Sequence, residues 1–252
     1  MRTNSIELHA FRAPERPDLC GEFLSEHRQV LADYGISKVS SNTNEWTTDP
    51  DCIVIVALHR ELGMVGGIRL QRSMEGHLLP MERSLLTLAP MITDEISALR
   101  PFGLGEVCGL WNAHRFAGFG VPVLLSHAVT AVSLPVGMKR MVCLVAHYTE
   151  RHPRSNGFIR MGSIGQGGTF PHYPIETHTA VAMVNPDTTL LPHAKEAHRQ
   201  LLFSLRLRPT QVREESPSGK PLEVHYNLCL SNCHVGMETY SAILMERLKY
   251  SA

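Results

Sequence analysis

Short apolar runs alternating with helical segments between about residues 50 and 184 predict an α/β fold, a mixed sheet sandwiched by helices. Two properties of the whole chain agree. Its 252 residues are 43% hydrophobic and 19% charged, the balance of a folded protein with a sizeable core. No internal repeat or low-complexity tract occurs, which removes solenoid architectures.

The first element is a helix over Asp18 to Tyr34, where Leu19, Phe23, Val30 and Leu31 recur near helical spacing between charged residues. The polar stretch at 40–51 (SSNTNEWTTDPD) ends it and reads as a loop, because its short polar side chains compete for backbone bonds. Cys52 to Leu58 is β-branched and apolar on both faces, and Met64 to Leu70 follows a short turn at Gly63, which predicts a hairpin. Residues 81–100 predict one or two short helices interrupted by Pro90. Gly105 to Trp111 reads as a strand in which Gly109 suggests a bulge or a close approach. Val121 to Leu134 is nearly all apolar and too long for a typical strand, so it predicts a buried helix. Met141 to Ala146, Phe158 to Ile164 and Thr179 to Val184 complete the predicted strands. Residues 1–186 are assigned to the main domain and 187–252 to a helical C-terminal extension, with a helix over Leu190 to Leu207 and a polar linker REESPSGKP.

Charge and cysteine content exclude several classes. Lys plus Arg and Asp plus Glu both number 24, so no overall basic field draws the chain onto nucleic acid or anionic lipid. No apolar run reaches the roughly 18 residues of a membrane span, and the first residues lack the apolar core of a signal peptide. A cytoplasmic location is the resulting expectation. The six cysteines are scattered, several within apolar runs, and are expected to be reduced and buried. His225, Cys229, Cys233 and His234 lack a standard zinc spacing and read as a core helix with two packed cysteines, so no metal is assigned.

The segment with chemical content is Arg115-Phe116-Ala117-Gly118-Phe119-Gly120, between the strand ending near Trp111 and the helix starting near Val121. A helix start offers unpaired N–H groups and the positive end of its dipole, and glycines let a phosphate approach that backbone. Taken alone, the Gly-x-Gly pair is equally a tight strand-to-helix turn.

Here the residues resemble the GCN5-related N-acetyltransferase (GNAT) superfamily, whose coenzyme A loop reads Gln/Arg-x-x-Gly-x-Gly/Ala. Arg115, Gly118 and Gly120 match its fixed positions, and the order MVCLVA, HYTERHPRSN, Gly157-Phe158 follows the family's next strand, short helix and Gly-Phe pair. The resemblance spans about residues 50–185. It implies a GNAT-like mixed central sheet whose central strands splay to admit the donor, with Gly109 as the bulge residue. It further implies that Leu110, Trp111, Asn112, Arg115, Phe116, Ala117, Gly118, Phe119, Gly120 and Val121 bind acetyl-CoA or another acyl-CoA.

A narrower resemblance is to the acyl-homoserine-lactone and N-acyl amino acid synthases, which share this fold and carry an Arg and a Glu where Arg69 and Glu106 stand. That resemblance implies substrate binding by Arg69. Those enzymes continue Glu-x-Ser-Arg, whereas this chain has Gly109 at the Arg position, which argues against lactone synthesis.

Acyl transfer to an amine needs a base, an oxyanion donor and an acid for the leaving thiolate. Glu106, in an apolar strand, is the candidate base, since burial raises a carboxyl toward useful values; a strand-end Glu paired to a surface Arg is the other reading. Tyr148 is the candidate acid. The family's usual Tyr is Pro153 here, which keeps a non-catalytic coenzyme-binding module as a second hypothesis. Long-chain transfer from an acyl carrier protein is the third. The expected acceptor is a small-molecule amine, and the apolar stripe Leu228, Leu230, Val235, Ile243, Leu244 suggests a homodimer.

Overall fold

The computed structural model describes residues 4–36, 43–231, 233 and 235–250. One mixed sheet runs through the molecule. Its strands are β1 (Ser5–Arg12), β2 (Cys52–His59), β3 (Gly63–Arg72), β4 (Leu104–Asn112), β5 (Arg140–Ala146), β6 (Ile159–Arg160), β7 (Thr169–Pro171), β8 (Thr179–Asn185), β9 (Thr210–Glu215) and β10 (Leu222–Asn227). Their order is β6-β8-β5-β4-β3-β2-β1-β10-β9, with β7 also paired to β8. The β4–β5 and β1–β10 pairs are parallel and the rest antiparallel.

Helices cover both faces. On one lie α1 (Pro17–Asp33), α2 (Pro80–Leu85) and α3 (Ile92–Leu99); on the other lie α4 (Val121–Ser133) and α6 (Glu196–Leu207). A short α5 (Arg151–Ser155) follows β5, and α7 (Met237–Tyr250) ends the described chain. α1 buries Leu19, Cys20, Phe23, Leu24 and His27 against β2, β3 and β4. α4 is buried around nearly its whole circumference, as its unbroken apolar sequence requires.

Phe23 sits edge-on to Trp46 at 5.5 Å and to Trp111 at 5.8 Å between ring centroids, and only the missing side chain of Gly67 admits it. A Cβ at Gly67 would lie 2.3 Å from the Phe23 ring. Gly67→Ala is therefore expected to destabilise by about 1–3 kcal/mol, measured as a shift of the denaturation midpoint at constant slope.

The structure departs from the sequence expectations at five places. β1 has no counterpart among the expected elements, although its Ile6, Leu8 and Ala10 alternate with more exposed residues. The expected strand over Phe158 to Ile164 contracts to Ile159–Arg160, because the following segment turns at Gly165, Gly167 and Gly168, all at positive φ. The helix expected from Leu190 starts at Glu196; Leu191 lies at φ 52° and Pro192 follows it. REESPSGKP is the end of β9 and the tip of the β9–β10 hairpin instead of a linker, so the segment after residue 187 adds two strands to the sheet as well as helices. Finally, Leu228, Leu230, Val235 and Ile243 are buried within the chain's own core, leaving Leu244 as the exposed member of that stripe. The stripe thus no longer argues for a dimer.

Among the cysteines, Cys20, Cys52, Cys108 and Cys143 are free and buried as expected, Cys233 is half-buried and Cys229 exposed. His225 lies on β10 with its Nε2 2.8 Å from a Glu223 carboxylate oxygen, and Cys229 and Cys233 lie outside any helix. His234 lies outside the described residues. No helix among the described residues is long and apolar enough to cross a membrane.

Candidate active site

β4 and β5 begin as neighbours and then part. Their register covers only Leu104–Val107 against Arg140–Cys143. Beyond it, β4 keeps its bonds to β3 and β5 keeps its bonds to β8. The parting is assisted by a bulge: Trp111 faces Gly67 and Cys108 faces Arg69, so Gly109 and Leu110 together oppose Ile68. Gly109 adopts φ 62°, and a Cβ there would come within 3.2 Å of the Arg69 side chain. The bulge expected at this glycine is present.

A cavity of about 460 Å³ occupies the fork. Its walls come from β4, from Cys143 to Ala146 of β5, from α1 and from the start of α2. Glu106 stands at its base, on the last paired stretch of β4, and is 2% exposed. One carboxylate oxygen accepts the Met81 N–H at 2.9 Å. Burial pushes this carboxyl up to about 8, against the pull of the Met81 bond and the Arg69 charge. The reading of Glu106 as a strand-end partner of a surface Arg is excluded by this burial.

Arg69 is placed differently from the expectation of a substrate contact. It is 1% exposed, lies outside the lining of the cavity, and its guanidinium stacks over Trp46 at 4.4 Å beside the Cys52 thiol. One layer behind the wall, it acts on the site through its field. Tyr148 does line the cavity, but at its mouth and 61% exposed, with partial burial raising its phenol above the ordinary range. His27, to which sequence reasoning gave no role, is buried on α1 and lines the same cavity. Burial first, then the Arg69 charge, hold it at about 4, so it is neutral at pH 7. Its place four residues after Phe23, on the buried face of α1, was the available signal.

The glycine loop divides into residues that line the cavities and residues that pack elsewhere. Gly118 and Gly120, at φ 81° and 75°, line a second cavity of about 650 Å³ at the start of α4. Leu110, Trp111 and Ala117 line the first cavity, and Asn112 lines both. Phe116 stacks on Phe119 at 4.5 Å, and Val121 packs in the core against Gly66. Arg115 faces away from the helix start. It bonds Glu26 at 2.8 Å and the carbonyls of Leu62 and Met64, tying α1 to the β2–β3 turn. An expected charged contact at the loop mouth is therefore a structural clamp.

The two cavities adjoin, since Asn112, Pro122, Ser126 and His152 line both. These four residues place the cavity at the α4 start beside the β4–β5 fork, whose lining includes Glu106.

No protein-family model matches the sequence, and no curated protein matches it. Solved structures do match in fold. FeeM, an N-acyl amino acid synthase from uncultured soil microbes, aligns over 74% of this chain and 94% of its own at 16% identity, with a TM-score of 0.55. BjaI, a CoA-dependent acyl-homoserine lactone synthase solved with SAM and isopentyl-CoA, aligns over 95% and 99% at 13% identity, with a TM-score of 0.50. TofI, solved in a ternary complex with an inhibitor and MTA, covers 76% of this chain and 99% of its own at 15% identity, with a TM-score of 0.50. The GNAT-like fold expected from the sequence is the fold of this chain, with its mixed sheet, splayed central strands and flanking helices.

Proposed function

We propose that this protein transfers an acyl group from acyl-CoA to the amine of a small molecule. The reading is carried by one observation: a cavity at a glycine-lined helix start shares four wall residues with a cavity in a strand fork whose lining includes a buried carboxyl raised to about 8. The shared fold supports the donor class, since BjaI was solved with isopentyl-CoA. The ordinary thioester route then follows. The pantetheine arm lies in the fork, and the acceptor amine attacks the thioester carbonyl directly, without a covalent enzyme intermediate. A C–N bond forms as the C–S bond breaks; Glu106 takes the proton from the amine and Tyr148, at the mouth, returns one to the departing thiolate. Glu106 must be ionised to act, so its raised value sets the pH range of activity. Arg69 supplies the cationic field that stabilises that ionised form.

Calorimetry with acetyl-CoA, a long-chain acyl-CoA and CoA tests the donor. Wild-type protein is expected to bind acyl-CoA with a dissociation constant on the order of 1 μM. Gly118→Glu, which places an anion at the helix start, is expected to weaken binding by at least about 100-fold. Because Gly118 has positive φ, Gly118→Asn serves as the folded control, a residue that tolerates this conformation without adding charge. A Glu variant that binds as the wild type does, or a wild type that binds none of the three, would sink the reading.

The competing donor is an acyl carrier protein, whose phosphopantetheine arm brings no nucleotide. The second cavity favours acyl-CoA: it is lined by the cations Arg151 and Lys195 and by no carboxylate among the described residues.

A further inference from the structure

Resting on that reading of the donor, the geometry points to Lys220, in the tip of the β9–β10 hairpin, as the cation that binds the coenzyme pyrophosphate in place of the diverted Arg115.

The hairpin tip is clasped onto the glycine loop. Ser218 donates its hydroxyl to the Gly118 carbonyl at 2.7 Å. Pro217 lies so close over Gly120 that a Cβ there would meet its ring at 2.7 Å. These contacts bring Lys220 with them. Its ammonium lies 3.4 Å from where a Gly118 Cβ would stand and 5.0 Å from the centroid of the Phe119 ring. Among the described residues no carboxylate pairs with it, and a lysine held by a ring face keeps its charge available to an anion. The loop's own arginine meanwhile spends its donors on Glu26 and on two carbonyls behind the loop.

The same tip walls the second cavity. Pro217 and Ser218 line it together with Gly118, Gly120, Arg151 and Lys195. Its lining also includes His127, which is only 6% exposed and whose Nδ1 has no hydrogen-bond partner among the described residues. An open buried polar atom in a cavity that also holds Arg151 and Lys195 points to a polar guest, and the two cations favour an anionic one. The hairpin thus closes one side of the phosphate region, and the sheet positions it through the parallel β1–β10 pair.

The test is calorimetry of CoA and 3′-dephospho-CoA on the wild type, Lys220→Ala, Lys220→Arg and Ser218→Ala, with unfolding midpoints of the free proteins. Removing one charge-assisted partner of the pyrophosphate is expected to weaken both ligands equally, by about 10-fold, in Lys220→Ala. Lys220→Arg should restore most of the loss. Ser218→Ala, which frees the clasp and keeps the charge, should lose less, about 3-fold. The midpoint of Lys220→Ala should equal that of the wild type. Wild-type affinity in Lys220→Ala overturns the assignment while Gly118→Glu still judges the donor reading separately. A loss confined to CoA would assign Lys220 to the 3′-phosphate and likewise overturn it, as would a lowered midpoint with no rescue by arginine. A wild type that binds neither ligand removes the donor reading and this assignment together.

Discussion

Glu106→Gln is expected to lower kcat/KM by about 10²- to 10⁴-fold, the range that a positioned base contributes. Glutamine retains an oxygen to accept the Met81 N–H, so the wall of the fork should keep its shape and CoA its affinity. In the wild type, kcat/KM should rise with pH and level off above about 8, as the carboxyl ionises. Once an acceptor is known, the variant should lose this rise.

Stability should move the opposite way. Folding raises this carboxyl from 4.5 to about 8, so the folded state favours its neutral form. That contribution is fully present below pH 4.5 and is lost as pH rises through 8. Over this window the wild type should lose on the order of 3–5 kcal/mol that Glu106→Gln does not lose. Denaturant unfolding at pH 5 and pH 9 measures the difference. Equal pH dependence in both proteins, or full activity in the variant, would remove Glu106 as the base.

Arg206→Met is expected to cost about 3–5 kcal/mol, the largest effect away from the site. Arg206 lies on α6, is buried, and reaches the carbonyls of Thr130 at 3.2 Å and Ala131 at 3.4 Å, in the last turn of α4. It also bonds the carbonyls of Thr188 at 2.7 Å and Thr189 at 3.4 Å. Carbonyls at a helix end lack an intrahelical backbone partner and carry the negative end of the dipole, so a cation there answers both needs, although the Thr130 carbonyl also accepts the Ser133 hydroxyl at 2.8 Å. Burial lowers the guanidinium to about 9, which still leaves it charged at neutral pH. Methionine fills part of the volume and strands these acceptors away from water. The unfolding midpoint should fall by about 10 °C. A lysine ammonium cannot reproduce the planar fork that serves several carbonyls at once, so Arg206→Lys should recover only part of the loss. A shift below about 1 °C would mean that water replaces these bonds.

Where a segment's burial follows from its own composition, the sequence was sufficient. Cys52 to Leu58, Val121 to Leu134 and Met141 to Ala146 are apolar on every side, and each forms the element expected within two residues. Gly109 signalled a bulge and has it, and it lies with Gly118 and Gly120 at positive φ, which the sequence reading did not specify. β1 and the β9–β10 pair were harder to read, because they are half-buried strands whose partners lie more than 200 residues away in one case. The turn residues Pro217 and Gly219 read as a linker as readily as a hairpin tip, since the same turn chemistry serves both.

Local pattern therefore determined the α/β class, the fork strands, the glycine loop and Glu106 as a buried acid. Tertiary structure alone decided which charges face the cavities. Arg115 was singled out by its place in the glycine loop and Arg69 by the resemblance to the synthases, yet one is spent on Glu26 and the other lies behind the wall over Trp46. Arg151 and Lys195 line the second cavity, a neutral His27 on the inner face of α1 lines the first, and Lys220 comes from a distant hairpin to the Gly118 backbone. The physical reason is reach: spacing along a chain sets which face a side chain leaves from, but a long cation ends wherever packing offers it a carbonyl, a carboxylate or a ring.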